Sequence, residues 1–272
     1  MASTDPPVPP KAPTPKPSPL QRPIAVALLI FFAALMVPAA WFFPPGWSYV
    51  TLMGLMIAFM IVLGLKICGR FAGILINDRN LMSLSRFQMI LWTVLILSAF
   101  LTAAIERIHF RGTADALAIA LDEKLWMLLG ISTASLVGTP LIHSTKKVKE
   151  PQPDAIGKAS KALKQPETEI AANCQGVLYA NPDAKDAEFT DMFEGDEVGN
   201  TAYIDVSKVQ MFLFTLIAVL SYGTVLFNWL SGWQSLLNPA AFPVLSAGLI
   251  AILGISHAGF LGSQSTTKTP TT

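Results

Sequence analysis

The chain has 272 residues, of which 52% are hydrophobic and only 14% charged, with a mean hydropathy of +0.51. That balance excludes an ordinary soluble domain, and a net charge of +1 gives no basic excess that would point to nucleic acid. The charge is sorted along the chain instead of spread through it, which leaves long apolar stretches between charged ones.

Residues 1–22 are rich in proline and lack an apolar period, so a disordered, polyproline-like tail is expected. Crossing a hydrocarbon core of ~30 Å takes about 20 apolar residues. Six segments qualify, at about 24–43, 49–67, 88–105, 125–142, 209–230 and 239–261. The first two form an N-terminal hairpin over 23–68, turning at Pro44-Pro45-Gly46. Val37-Pro38-Ala39 resembles a signal-peptidase site, but the long proline-rich lead argues against cleavage. The fourth segment begins beside Asp122, Glu123 and Lys124, so 114–124 reads as an interfacial lead-in.

Two patterns occur twice. Ser85 to Thr93 (SRFQMILWT) is answered by Ser207 to Thr215 (SKVQMFLFT), with five of nine positions identical. Leu129 to Gly138 is answered by Leu253 to Gly262, with six of ten identical. The order and separation match, which implies an internal duplication: repeat 1 over 84–142 and repeat 2 over 207–262. The expected architecture is an all-α integral membrane protein of six transmembrane helices, an N-terminal hairpin plus two tandem parallel two-helix repeats.

Within the repeats, Ser85-x-x-Gln88 and Ser207-x-x-Gln210 read as capping boxes at helix starts. Gly130, Ala134 and Gly138, like Gly254, Ala258 and Gly262, recur every four residues and form small-residue ridges suited to close helix crossings. At about 100° per residue, Gln88, Thr102 and Glu106 share one helical face. Gln210, Ser221, Thr224 and Asn228 share the corresponding face of the second copy. These polar seams are expected to look into the bundle, away from lipid. His257 is the one histidine set well inside an apolar segment, and an intramembrane ionisable group is a functional candidate by default. A neutral histidine bonded to a neighbouring helix is the simpler expectation.

Between the repeats, 143–206 is a charged loop. Residues 144–164 carry six lysines against Glu150 and Asp154, whereas 165–206 carries ten acids against Lys185. The basic half suits an anionic membrane surface, and the acidic half is expected to be a solvated, partly disordered face. Two apolar pieces, Gly176 to Tyr179 and Phe189 to Phe193, point to local structure. With six spans, 16 of the 19 Lys and Arg residues fall on the side that holds both termini, this loop and the tail 263–272. The asymmetry implies a cytoplasmic (inner) membrane protein with those parts in the cytoplasm.

Cys68 and Cys174 make neither a disulfide framework nor a metal site, and no metal or cofactor motif is present. Known enzyme motifs are missing as well, so the expectation is a non-catalytic protein. Its partners are the lipid bilayer, a cytoplasmic protein docking on loop 165–200, and further copies of itself as a homo-oligomer. The first reading is a membrane anchor or scaffold; the second is an oligomeric channel or transporter with a gated path between the third and fifth spans.

Overall fold

The computed structural model describes residues 20–112, 116–232 and 241–272. Most of the proline-rich tail, part of the 114–124 lead-in and the start of the sixth apolar segment therefore lie outside the described residues. Among the described residues eight α-helices are seen: α1 (Arg22–Phe42), α2 (Pro45–Cys68), α3 (Leu84–Arg111), α4 (Glu123–Lys146), α5 (Pro153–Leu163), α6 (Glu167–Asn173), α7 (Val206–Ser231) and α8 (Ala247–Ser265). Among the described residues the extended pairing consists of isolated bridges only.

Six of the helices (α1 to α4, α7 and α8) are long and apolar enough to cross a membrane. Large apolar side chains such as Ile30, Phe31, Trp126, Leu141, Leu220 and Ile255 are exposed on their outer surfaces. An apolar exterior of this extent suggests a multi-pass membrane protein in contact with a bilayer.

Local chemistry sets the helix ends. Pro45 occupies the first turn of α2, where its missing N–H costs nothing. Gly69 closes α2 in the left-handed region at φ 72°, as a helix C-terminus favours. Just beyond it, the chain folds back so closely that a Cβ on Gly73 would sit 2.6 Å from the Gly64 carbonyl oxygen. The α4 start is capped by Asp122, which accepts from the Lys124 N–H at 3.0 Å. Glu123 beside it complements the helix dipole, so these acids begin the helix without weakening it.

The last membrane-length helix, α8, starts at Ala247, with residues 241–246 of the apolar stretch not helical before it. Pro243 disfavours helical backbone at its predecessor, and Ser246 caps the new start by accepting from Leu249 N at 3.1 Å. Before it, Phe242 is buried in the core, and the Pro243 carbonyl accepts from the Tyr222 hydroxyl at 2.9 Å.

Helix α3 is the hub. It packs against α1, α2, α4 and α7, and 56% of its apolar window is buried, against 17% for α1 and α2. Trp92, Leu95, Ala99 and Ala103 of α3 meet Ala218, Tyr222 and Leu226 of α7 and Leu253 of α8 in one core. Like members of the two sequence copies lie side by side: α3 against α7 and α4 against α8.

The charged segment between α4 and α7 is not a loose, solvated face. With residues 69–83 and the C-terminal residues 266–272 it folds into a cap over one end of the bundle. Val177, Leu178, Ile170 and Met192 are buried within it. The apolar pieces supply a small core, and backbone bonds such as Tyr179 N to Asp196 O and Val198 N to Val177 O knit it together. The C-terminal segment joins through Gln152 N to Pro270 O and Thr272 N to Glu150 O. The excess negative charge of 165–206 does not keep it unfolded, because three of its acids are neutralised by buried or half-buried cations.

Candidate functional site

The cap is held by two buried charge clusters. The first begins with a turn: the Asn77 side chain accepts from Arg79 N at 2.9 Å and Leu81 N at 3.2 Å. Asn80 follows with φ 58°, a conformation asparagine tolerates better than most residues. This turn carries Arg79 inward, where its side chain is 2% exposed. Arg79 donates to the carbonyls of Tyr179 (3.0 Å) and Asp196 (2.9 Å) and pairs with the Asp196 carboxylate. From the first turn of α7, Lys208 reaches the other Asp196 oxygen at 2.8 Å and the Glu194 carbonyl at 2.6 Å. Burial opposes ionisation of Asp196, but Lys208 and Arg79 beside it outweigh that and hold its carboxyl far below the usual range.

The second cluster centres on Glu197. Lys146, in the last turn of α4, donates to Glu197 at 2.6 Å and to the Thr266 carbonyl at 3.0 Å. The other Glu197 oxygen accepts from the backbone of Lys268 (2.7 Å) and Thr269 (2.6 Å). One carboxylate thus fastens the cap to α4 and to the C-terminal segment. Ion pairs this deep rarely add much net stability, but removing one member costs about 3–5 kcal/mol.

Two concavities flank these clusters. A cavity of about 330 Å³ lies between the start of α3 and the end of α4, with Arg79, Arg86, His143, Lys147, Asp196 and Lys208 in its wall. A second, open hollow in the cap is lined by Glu169, Asp183, Asp186, Glu188, Asp191 and Glu194 together with Arg70 and Lys185. Burial pushes the carboxyls of Asp191 and Glu194 above their ordinary range. Asp191 is oriented by the N–H groups of Met82 (3.0 Å) and Glu188 (2.9 Å), both donating to one oxygen.

The capping boxes expected at Ser85 and Ser207 are corrected. Helix α3 starts earlier, with Ser83 as its N-cap, and α7 is capped by Asp205, which accepts from Ser207 N at 3.0 Å. Released from capping, Gln88 is buried and donates to the Thr215 hydroxyl at 2.6 Å and the Met211 carbonyl at 3.3 Å. Ser85 lies 3.4 Å from the Thr139 hydroxyl.

The two polar seams are not equivalent. Gln88, Thr102 and Glu106 are buried, whereas Gln210, Ser221, Thr224 and Asn228 are exposed on the outside of the chain. The expectation that both look inward is therefore corrected for α7. The reason is packing: α3 is surrounded on most sides, while α7 buries one stripe through Met211, Thr215, Ala218, Tyr222 and Leu226. That stripe is set about one residue round from the seam, and the aromatic and aliphatic side chains on it outweigh the polar face.

The small-residue ridges show a similar offset. Helices α4 and α8 do pack together, yet Gly130, Ala134, Ala258 and Gly262 are exposed and Gly138 and Gly254 only half-buried. Gly138 and Gly254 face the partner helix, where a Cβ would lie 3.3 Å from Leu261 and 3.7 Å from Ile131, and Ser135 and His257 bond across the same crossing, so each expected ridge meets the crossing at one glycine and not along its length. His257 faces protein, with its Nδ1 2.6 Å from the Ser135 hydroxyl, which is the neighbouring-helix bond a neutral histidine would make.

Sequence reasoning missed Arg79, Asp196, Glu197, Lys146 and His143. One signal was available: the duplicated motif aligns Arg86 with Lys208, and both line the same cavity. The partners of Lys208 lie in a loop whose folding the composition concealed. In comparisons with known proteins, the chain matches no family model, no curated protein and no solved structure.

Proposed function

We propose that the protein is a non-catalytic multi-pass anchor of the cytoplasmic membrane, presenting its cap to a basic protein partner in the cytoplasm. The observation that carries this reading is the cap itself. Asp196 and Glu197 tie it to the bundle through Arg79, Lys208 and Lys146, so the acidic hollow is held at a defined place on the bundle end. A preorganised surface loses less entropy on binding than a flexible loop, and a carboxylate-lined hollow attracts cationic side chains. The lysine and arginine asymmetry supports the cytoplasmic side.

Deleting 165–200 would remove Asp196 and Glu197 with the surface, so the better test is Asp183→Asn, Asp186→Asn and Glu188→Gln together. These residues are outside both charge clusters. The parent protein is expected to co-purify with one or more basic proteins that the triple variant loses, with unchanged thermal stability. An identical partner set for both proteins overturns the anchor reading.

The second reading is an oligomeric channel or transporter. It is favoured by the exposed Gln210, Ser221, Thr224 and Asn228, because polar side chains within an apolar helix seldom face lipid. A second copy of the chain would cover them. Solute or ion flux in liposomes that falls on Asn228→Leu supports this reading; a monomer without flux eliminates it.

A further inference from the structure

We propose that the 330 Å³ cavity between α3 and α4 is a binding site for a phosphate-class anion. The inference stands apart from the anchor reading.

The charge of the wall points to the class of ligand. Arg79, Arg86, Lys147 and Lys208 bring four positive groups, against the carboxylates of Asp78 and Asp196. Asp196 is already engaged by both Arg79 and Lys208, and Lys147 by Asp78 at 2.6 Å. Two positive charges of the wall are thus unbalanced by its own acids, a setting that favours an anion.

The donors point the same way. Arg79 Nε is buried and has no hydrogen-bond partner, and the side chain lines the cavity. Arg79 is 2% exposed, so bulk water does not satisfy it. A buried donor left in this way is rare in folded proteins and calls for a partner. The His143 ring in the same wall has the Gln264 side chain as a hydrogen-bonding neighbour.

The fold adds a third element. Ser83, Leu84, Ser85 and Arg86, the cap and first turn of α3, also form part of the wall. A helix start directs backbone N–H groups and the positive end of its dipole at whatever lies before it. The Ser83 and Ser85 side chains stand in the same wall and offer hydroxyl donors to a tetrahedral oxyanion, whereas Thr139 and Ser144 spend theirs on carbonyls of their own helix.

The shared chemistry is a phosphate group, supplied either by a lipid headgroup or by a soluble phosphate. The cavity sits at the end of the apolar helices, at headgroup depth in the proposed bilayer. The experiment uses the full-length protein and compares Arg86→Gln and Lys147→Gln with the parent. Lys147 is the safer substitution, because its side chain is 38% exposed.

In uncharged detergent, inorganic phosphate is titrated against chloride at equal ionic strength and thermal unfolding is followed. In parallel, lipid retained after nanodisc extraction is measured by native mass spectrometry for phosphatidylglycerol-containing and pure phosphatidylcholine discs. Phosphate-specific stabilisation identifies a soluble source, and selective retention of phosphatidylglycerol identifies a headgroup. Either response is expected to weaken about tenfold in the variants, the scale of losing one charged hydrogen bond. Equal behaviour in phosphate and chloride together with no lipid selectivity overturns the proposal, as does a response that both variants retain in full.

Discussion

Lys208 Nζ lies 2.8 Å from Asp196 Oδ2, joining the first turn of α7 to the cap, while Arg79 holds the other oxygen of the same carboxylate. Three segments therefore meet on one buried acid, with Arg79 coming from 117 positions away. The cap, the turn before α3 and the start of α7 cannot separate without exposing it.

Asp196→Ala leaves two cations buried with no counter-charge. The variant is expected to lose about 3–5 kcal/mol of cap stability, read by hydrogen exchange at Val177 and Tyr179 or by chemical unfolding. A loss below about 1 kcal/mol, the scale of an exposed ion pair, would show that the cluster does not hold the cap.

The acids of the cap respond to pH with opposite signs. The Asp196 carboxyl is lowered, so its stabilising effect is complete above the ordinary carboxylate pKa of ~4 and disappears only as pH falls through its own lower value. The Asp191 carboxyl is raised by burial. Its contribution is present below the ordinary value and is lost as pH rises through the folded one. Asp191→Asn keeps an oxygen for the Met82 and Glu188 N–H groups and removes that loss. Relative to the parent, the variant should become more stable on going from pH 4 to pH 7; an unchanged difference across that range would contradict the assignment.

Gln88 and Gln210 occupy the same place in the duplicated motif but opposite environments. Gln88→Leu breaks the bond to Thr215 and is expected to cost about 0.6 kcal/mol and at most ~2, the range for hydrogen bonds between membrane helices. Gln210→Leu should stay within about 0.5 kcal/mol of the parent in a monomeric preparation. Unfolding in mixed micelles measures both, and equal losses would contradict the offset between the two seams.

The Gly64–Gly73 approach gives a local test. Gly73→Ala places a methyl group against the Gly64 backbone, where neither side has a flexible end to move, and should cost about 1–3 kcal/mol. Gly54→Ala meets nothing within 4 Å and is expected to be neutral or to stabilise slightly. Thermal unfolding of the pair compares them directly.

Much of the architecture is legible in the residues themselves. Apolar runs of span length locate six long helices, and proline and glycine mark the turn at Pro44-Pro45-Gly46. These are short-range properties: helix formation depends on neighbours within a few positions, and apolar length is additive along the chain. The sequence also singled out Gln88 and His257 as groups that look toward protein, because a polar side chain in an apolar run needs a partner.

Other features depended on contacts that no local pattern records. Ser83 and not Ser85 caps α3, because the helix extends one turn beyond the apolar run. The α7 seam turned outward because Tyr222, Leu226 and Met211 had more surface to bury against α3 than the polar face could offset. The acidic loop folded because Asp196 and Glu197 found Arg79, Lys208 and Lys146 more than 50 positions away or on another element. By itself, the sequence determined where the long apolar helices lie, but not the short helices α5 and α6 of the cap. The tertiary structure decided which face of each is buried and which charges neutralise one another, because burial and pairing energies belong to surfaces that only long-range packing creates.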